Sequence, residues 1–83
     1  MHYKFEAMHP KTRFGKWLYL QMVERDLNCT EVANRLHVTK QIVAMHIGGH
    51  HLPNYPFVVA YCMIFGGNPE GIWKLVESDK EGP

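Results

Sequence analysis

Two short segments with helical periodicity stand almost side by side in TEVANRLHVTKQIVAMHIGG, residues 30–49. Only the residues around His37, Val38 and Thr39 separate them, which leaves no room for an ordinary loop. Two helices joined by a turn of three or four residues cross steeply, at roughly 90 to 120°, and their backbones come close together. Ala33 supplies a small side chain for such a crossing, and Val38 is placed to fill the inside of the corner. This stretch therefore predicts a tight helical corner.

The rest of the chain also shows helical spacing and helix-capping signals. Asn28 followed by Glu31 has the form of a capping box, and Pro56 and Pro69 each fall in the first turn after an asparagine. Gly48 begins a glycine pair that should end the helix after the corner. The sequence predicts five helices, at about 14–26, 29–36, 40–47, 55–65 and 69–77.

The length of the chain, 83 residues, provides one hydrophobic core rather than two. We predict an all-α fold with a single domain over residues 14–77. Residues 1–13 are expected to form a partly flexible N-terminal arm, and residues 78–83 a frayed C-terminal tail.

The sequence indicates neither a membrane-spanning nor a secreted protein. Its longest apolar run, FVVAYCMIF at residues 57–65, is much shorter than the roughly 20 residues that cross a bilayer. The first residues are mixed and charged, unlike a signal peptide. Cys29 and Cys62 lack the spacing of a metal site and are expected to be reduced thiols in or near the core. We therefore expect a cytoplasmic protein.

Patterns typical of catalysis or of cofactor binding are missing from the sequence. It has no local Ser/His/Asp arrangement, no glycine-rich phosphate loop after a strand and no evident pair of catalytic carboxylates. The six histidines could suggest a metal site, but the Gly48 and Gly49 pair separates His46 from His50 and prevents a shared helical face. We expect His46 to be a half-buried, hydrogen-bonded core residue. We expect no enzyme, no cofactor, no metal and no small-molecule substrate.

Charge is distributed unevenly, although the formal net charge is only +1. Residues 1–40 contain seven Lys or Arg and four acidic residues, whereas residues 41–83 contain two Lys and four acidic residues. Arg35 and Lys40 lie on either side of the predicted corner. This asymmetry indicates one basic face, which a nucleic acid could bind or which could simply be solvated.

The corner and the helices around it resemble the Cro/C1-type, or xenobiotic-response-element-type, helix-turn-helix regulators. The resemblance spans about residues 14–75 and is strongest in LNCTEVANRLHVTKQIVAMHIGGHHLPN. The positions that carry it are Leu27, Val32, Ala33, Leu36, Val38, Thr39, Val43, Gly49 and Pro53.

The resemblance implies a five-helix, lambda-repressor-like DNA-binding domain whose second and third helices form a helix-turn-helix. The third helix would enter the major groove of double-stranded DNA. It also implies a bacterial or phage transcriptional regulator, a repressor that binds a palindromic operator as a homodimer.

Three departures from the family pattern have structural consequences. His37 stands in the turn where many members have glycine, so a residue with a Cβ must adopt that backbone conformation. Cys29 replaces a glutamine that clamps a phosphate in many members. Met22 and Ile47 occupy the positions of a buried Arg–Glu pair, and a well-packed apolar pair can replace such ions. We predict that Met22 and Ile47 are buried in contact.

The same register assigns functional side chains. Val43, His46 and Ile47 should face inward. The residues assigned to base reading are Lys40, Gln41, Ala44 and Met45. Those assigned to phosphate contacts are Lys11, Arg13, Lys16, Asn34, Arg35, His50 and His51. The candidate dimer interface comprises Tyr61, Ile72, Trp73 and Val76.

A second interpretation remains open at this point. Ile42 and Met45 give the third helix an apolar outer face, which is unusual for a helix that reads DNA. A helix-turn-helix domain that has turned to protein–protein interaction, with an antitoxin- or antirepressor-like partner, would also have such a face.

Overall fold

A computed structural model describes residues 9–82 of the chain, and the predicted arm residues 1–8 lie outside this range. The described part is all-helical, with no strand between residues 9 and 82. The five helices are α1 at Arg13–Glu24, α2 at Cys29–Leu36, α3 at Lys40–Gly48, α4 at Tyr55–Phe65 and α5 at Pro69–Lys80. The predicted all-α class is therefore confirmed.

Each helix begins after a threonine or asparagine whose side-chain oxygen accepts a hydrogen bond from a backbone amide of the first turn. These N-cap residues are Thr12, Asn28, Thr39, Asn54 and Asn68. Such bonds satisfy amide groups that have no partner within the helix. The local signals thus fix where the helices start, and the start residues of α2 to α5 agree with the sequence prediction.

The α2–α3 corner is the tight turn that the sequence predicts. Asn28 and Glu31 form a reciprocal capping box at the start of α2. His37 has φ 60° and ψ 42°, the left-handed conformation expected at that position. The amide of Val38 then donates to the carbonyl of Ala33 over 3.0 Å, and Val38 itself is half-buried. The chain can therefore reverse direction within three residues.

The third helix is held in place from below by α1 and α2. Val43, His46 and Ile47 are buried, as predicted. Gly15 of α1 lies directly beneath α3, where a Cβ atom would overlap the carbonyl oxygen of Ile47. Met22 is fully buried in the same core as Ile47, so the predicted burial of both residues is confirmed. Close backbone approach at Gly15 sets the height of α3 above the core.

Two predicted boundaries are wrong. The first helix ends at Glu24 rather than at residue 26, because Arg25 caps it and Asp26 adopts a left-handed φ of 53°. The predicted frayed tail at 78–83 is instead helical as far as Lys80. A long-range contact holds this last turn, since the carboxylate of Asp79 accepts hydrogen bonds from the amides of Arg13 and Phe14 at 2.9 and 3.0 Å.

The end of α1 is also fastened by a long-range contact. The guanidinium of Arg25 donates to the carbonyl of Phe65 over 2.9 Å and lies 5.3 Å from the centre of the Phe65 ring. It donates to the carbonyl of Gln21 as well. Arg25 therefore joins the ends of α1 and α4 and is a structural cation, away from the α3 surface.

Candidate nucleic-acid interface

The outer face of α3 begins with two exposed polar residues. Lys40 and Gln41 open the helix and are exposed, as is Ala44 one turn later. Met45 and Ile42 are half-buried. All four residues assigned to base reading thus lie on the accessible side of α3, opposite the side that packs into the core.

A buried polar contact fixes the inner face of α3. His46 is 4% exposed, and its Nδ1 lies 2.7 Å from the hydroxyl of Tyr61 on α4. The ring of Phe57 meets His46 edge-on at 4.8 Å between centroids. Burial, with a smaller contribution from His51, lowers the pKa of His46 to about 4, so the ring is neutral near pH 7. Burial likewise raises the pKa of Tyr61.

Three of the cations assigned to phosphate contacts gather at the start of α1. Lys11, Arg13 and Lys16 line one basin together with Thr12 and Asp79. The guanidinium of Arg13 is half-exposed and lies 3.7 Å from the Asp79 carboxylate. Arg13 is therefore partly neutralised by Asp79, which leaves Lys11 and Lys16 as the stronger anion-binding groups of this basin.

A cleft connects this basin to the outer face of α3. It has a volume of about 320 Å³ and is lined by His9 and Lys11 on one side and by Ala44, Met45 and His50 on the other. Lys11 borders both the basin and the cleft. A polyanion lying along α3 would therefore meet Lys11 beside the apolar residues of the helix.

The other assigned phosphate contacts are accessible. Asn34, Arg35, His50 and His51 are exposed. Arg35 lies in the last turn of α2, just before the corner. The structure therefore leaves each of these side chains free to reach solvent or a ligand.

Cys29 has a buried, protonated thiol at the start of α2. It is 8% exposed, and burial raises its pKa although the nearby Lys40 acts in the opposite direction. A buried thiol is a weak donor and cannot reach out to a phosphate as a glutamine amide would. The first residue of α2 thus supplies no side-chain clamp, and Cys62 is a second free, buried thiol.

The predicted dimer interface is partly wrong. Tyr61 and Val76 are fully buried within the protomer, so their side chains have no surface to present to a partner. Ile72 and Trp73 are half-buried and remain available. Tyr55, which was not part of the predicted interface, is 40% exposed and meets the Trp73 ring edge-on at 5.6 Å between centroids.

Two further features, a metal-binding cluster and a membrane-spanning helix, are absent from the described residues. Within residues 9–82, no three His, Cys, Asp or Glu side chains come together in a way that could hold a metal ion. Over the same range, no helix combines the length and the apolar character needed to cross a membrane.

Comparisons of the chain with models of known protein families, with curated proteins and with solved structures found no match. The chemistry of the α3 surface is therefore the basis on which a function can be assigned.

Proposed function

We propose that the chain is a sequence-specific DNA-binding regulator of transcription, built as a lambda-repressor-like domain in which α2 and α3 form a helix-turn-helix. The presentation of α3 carries this proposal. Its inner face is held by Val43, His46 and Ile47, while Lys40 and Gln41 are exposed at its first turn. The major groove of B-DNA is about 12 Å wide and admits a helix presented in this way.

The outward residues have the chemistry for reading base edges. Gln41 can bond both N6 and N7 of adenine, and Lys40 can reach O6 and N7 of guanine or a phosphate. Ala44 and Met45 can contact the methyl group of thymine. Each well-placed base contact contributes about 1 to 3 kcal/mol of discrimination.

Cations on either side of α3 supply the expected phosphate contacts. Lys11 and Lys16 lie near the start of α1, and Arg35 precedes the corner on α2. Asn34, with His50 and His51, could add weaker contacts. If each protomer neutralises about three phosphates, a dimer should bind DNA with a log–log salt slope near −5.

The protein would act as a homodimer on a palindromic operator, as a repressor in the cytoplasm. One small domain reads few base pairs, and twofold symmetry doubles the site. After the exclusion of Tyr61 and Val76, the remaining dimer candidates are Ile72 and Trp73, with Tyr55 beside Trp73.

A gel-shift titration at several salt concentrations tests the electrostatic part of the proposal. The affinity should fall steeply with salt, and Arg35→Ala should weaken binding to all sequences about equally. Arg35→Lys is the matched control, because it keeps a positive charge at the same exposed position and should retain most of the salt-dependent affinity. A salt slope near zero would contradict the proposal.

A second candidate function is protein–protein interaction through the same face. The half-buried, apolar Ile42 and Met45, the absence of a polar clamp at Cys29 and the low net charge favour it. Selection of bound duplexes from a random library separates the two functions, because the second predicts no enriched DNA sequence.

A further inference from the structure

The outer face of α3 changes character along its length. Its first two residues, Lys40 and Gln41, are polar and exposed. After them, the side chains of α3 that reach the surface are apolar, namely those of Ile42, Ala44 and Met45. The only other polar side chain of this helix, that of His46, is buried and bonded to Tyr61.

Met45 lines two clefts of similar size. On one side lies the cleft of about 320 Å³ that also contacts Lys11 and Ala44. On the other lies a cleft of about 290 Å³, lined by Ile42, Leu52 and other residues of the segment after α3. Methionine has an unbranched, polarizable side chain that adapts to the surface it contacts. The Met45 side chain can therefore adjust its conformation to a ligand in either cleft.

We propose that this apolar half of α3 reads the C5 methyl groups of thymine, and that these methyl contacts add to the sequence preference that Lys40 and Gln41 give within a half-site. The inference rests on the DNA-binding function proposed above. The thymine methyl is the apolar group that unmodified base pairs present in the major groove.

Discrimination would come from both attraction and exclusion. Contact with Ala44 and Met45 removes the methyl group from water, which is favourable. Cytosine carries a hydrogen at C5 in place of the methyl group, and its neighbouring amino group would lose water without finding a strong acceptor on Met45 or Ala44, which is unfavourable. The polar residues Lys40 and Gln41 would then fix the register of the helix at one end of the half-site.

The charge around this face favours DNA over a protein ligand. Lys11 borders the cleft beside Met45, and Lys40 is exposed at the start of the same helix. A duplex offers phosphates on both sides of the methyl groups in its major groove. An acidic amphipathic segment of another protein would need to reproduce that arrangement of negative charges. Binding of such a peptide instead of DNA is one possible result of the experiment that follows.

Replacement of thymine by deoxyuridine tests the inference. A duplex enriched from a random pool is resynthesised with deoxyuridine at every thymine, which removes the methyl group and keeps the hydrogen-bonding edge. We expect the affinity to fall about fourfold for each contacted methyl, the factor that corresponds to about 0.8 kcal/mol for one buried methylene. A symmetric site with one contact in each half should lose about 15-fold.

Two substitutions locate the effect. Met45→Gln keeps the length of the side chain and makes it polar, and Met45→Ala removes most of it. Both should lower the ratio of thymine to deoxyuridine affinities, leaving the part that Ala44 contributes. Gln41→Ala is the control, because it should weaken binding to both duplexes while leaving their ratio unchanged. Circular dichroism confirms that each variant is folded.

The outcomes separate the inference from the function on which it rests. An enriched duplex that binds equally well with deoxyuridine would overturn the methyl inference and leave DNA binding intact. A ratio that keeps its wild-type value in both Met45 variants would contradict the assignment to this face. If no duplex is enriched at low salt, or if only an acidic peptide binds, both the inference and the proposed function fail.

Discussion

The two faces of α3 are under different physical constraints. The inner face, with Val43, His46 and Ile47, is buried and must fit α1 and α2 and, through His46, Tyr61 of α4. The outer face, with Lys40 and Gln41, is exposed and is free of that requirement. Substitutions on the inner side should therefore change the free energy of unfolding, whereas those on the outer side should change binding alone.

Acid should lower the free energy of unfolding, through His46 on the inner face, by more than Gly15→Ala, Asp79→Ala or Gln41→Ala does. The pKa of His46 falls from 6.5 to about 4 on folding, so the unfolded chain takes up this proton first as the pH drops. The contribution is complete above pH 6.5 and is lost by about pH 4. At about 1.4 kcal/mol per pKa unit, the loss in the free energy of unfolding is about 3 kcal/mol.

Chemical denaturation of wild type and His46→Gln between pH 7 and pH 4 isolates this contribution from other titrating groups. The variant should be less stable at pH 7 and should lose less stability than wild type as the pH falls. Parallel curves for the two proteins would show that His46 is not held neutral by its surroundings.

Disruption of the contact between α1 and α3 should cause the next largest loss in the free energy of unfolding. Gly15→Ala places a Cβ against the Ile47 carbonyl oxygen, a backbone atom that can move only with α3. We expect a loss of about 2 kcal/mol in the free energy of unfolding, measured by urea denaturation. Gly71→Ala is the matched control: its nearest neighbour outside its own turn backbone is the Asn68 Cβ, in ordinary contact at 3.9 Å. This helical position should gain up to about 1 kcal/mol.

Removal of the carboxylate at the end of α5 should have a smaller effect. The Asp79 side chain is 3% exposed and accepts from two amides at the start of α1. Asp79→Ala should lower the free energy of unfolding by about 1.5 kcal/mol, because these amides lose a charged acceptor. Glu77→Ala, at an exposed position two residues earlier, should have little effect. Equal melting temperatures for the two variants would argue against this anchor.

The sequence predicts features that depend on neighbouring residues. The capping box at Asn28 and Glu31 follows from residue types at fixed short spacing. The left-handed His37 follows from the resemblance, because many members of that family have glycine at this position, and the structure contains both features. The burial of Met22 and Ile47 follows from helical periodicity combined with the resemblance. Such features require no knowledge of how distant segments meet.

Features that depend on distant residues escaped prediction. Asp79 caps α1 from 66 residues away, and nothing in SDKEGP distinguishes that aspartate from one in a frayed tail. Tyr61 and Tyr55 share one helix and one residue type, yet Tyr61 is buried and Tyr55 is exposed. The packing of α4 against its neighbours decides between them, and the continuously apolar sequence of α4 hides which side faces inward.

Substitution on the outer face should have the smallest effect on stability. Gln41 is exposed, so Gln41→Ala should change the free energy of unfolding by no more than about 0.5 kcal/mol. The same variant should lose about 1 to 3 kcal/mol of discrimination at one base pair of its site. A large loss of stability would show that Gln41 belongs to the packed side of α3.

Selection of bound sequences from a random duplex library tests the central claim most directly. The proposed function predicts an enriched, twofold-symmetric sequence whose half-sites lie about one helical turn of DNA apart, or a multiple of it. Gln41→Ala should relax that sequence at one position in each half-site. A pool that shows no enriched sequence at low salt would contradict the claim that α3 is presented to read DNA.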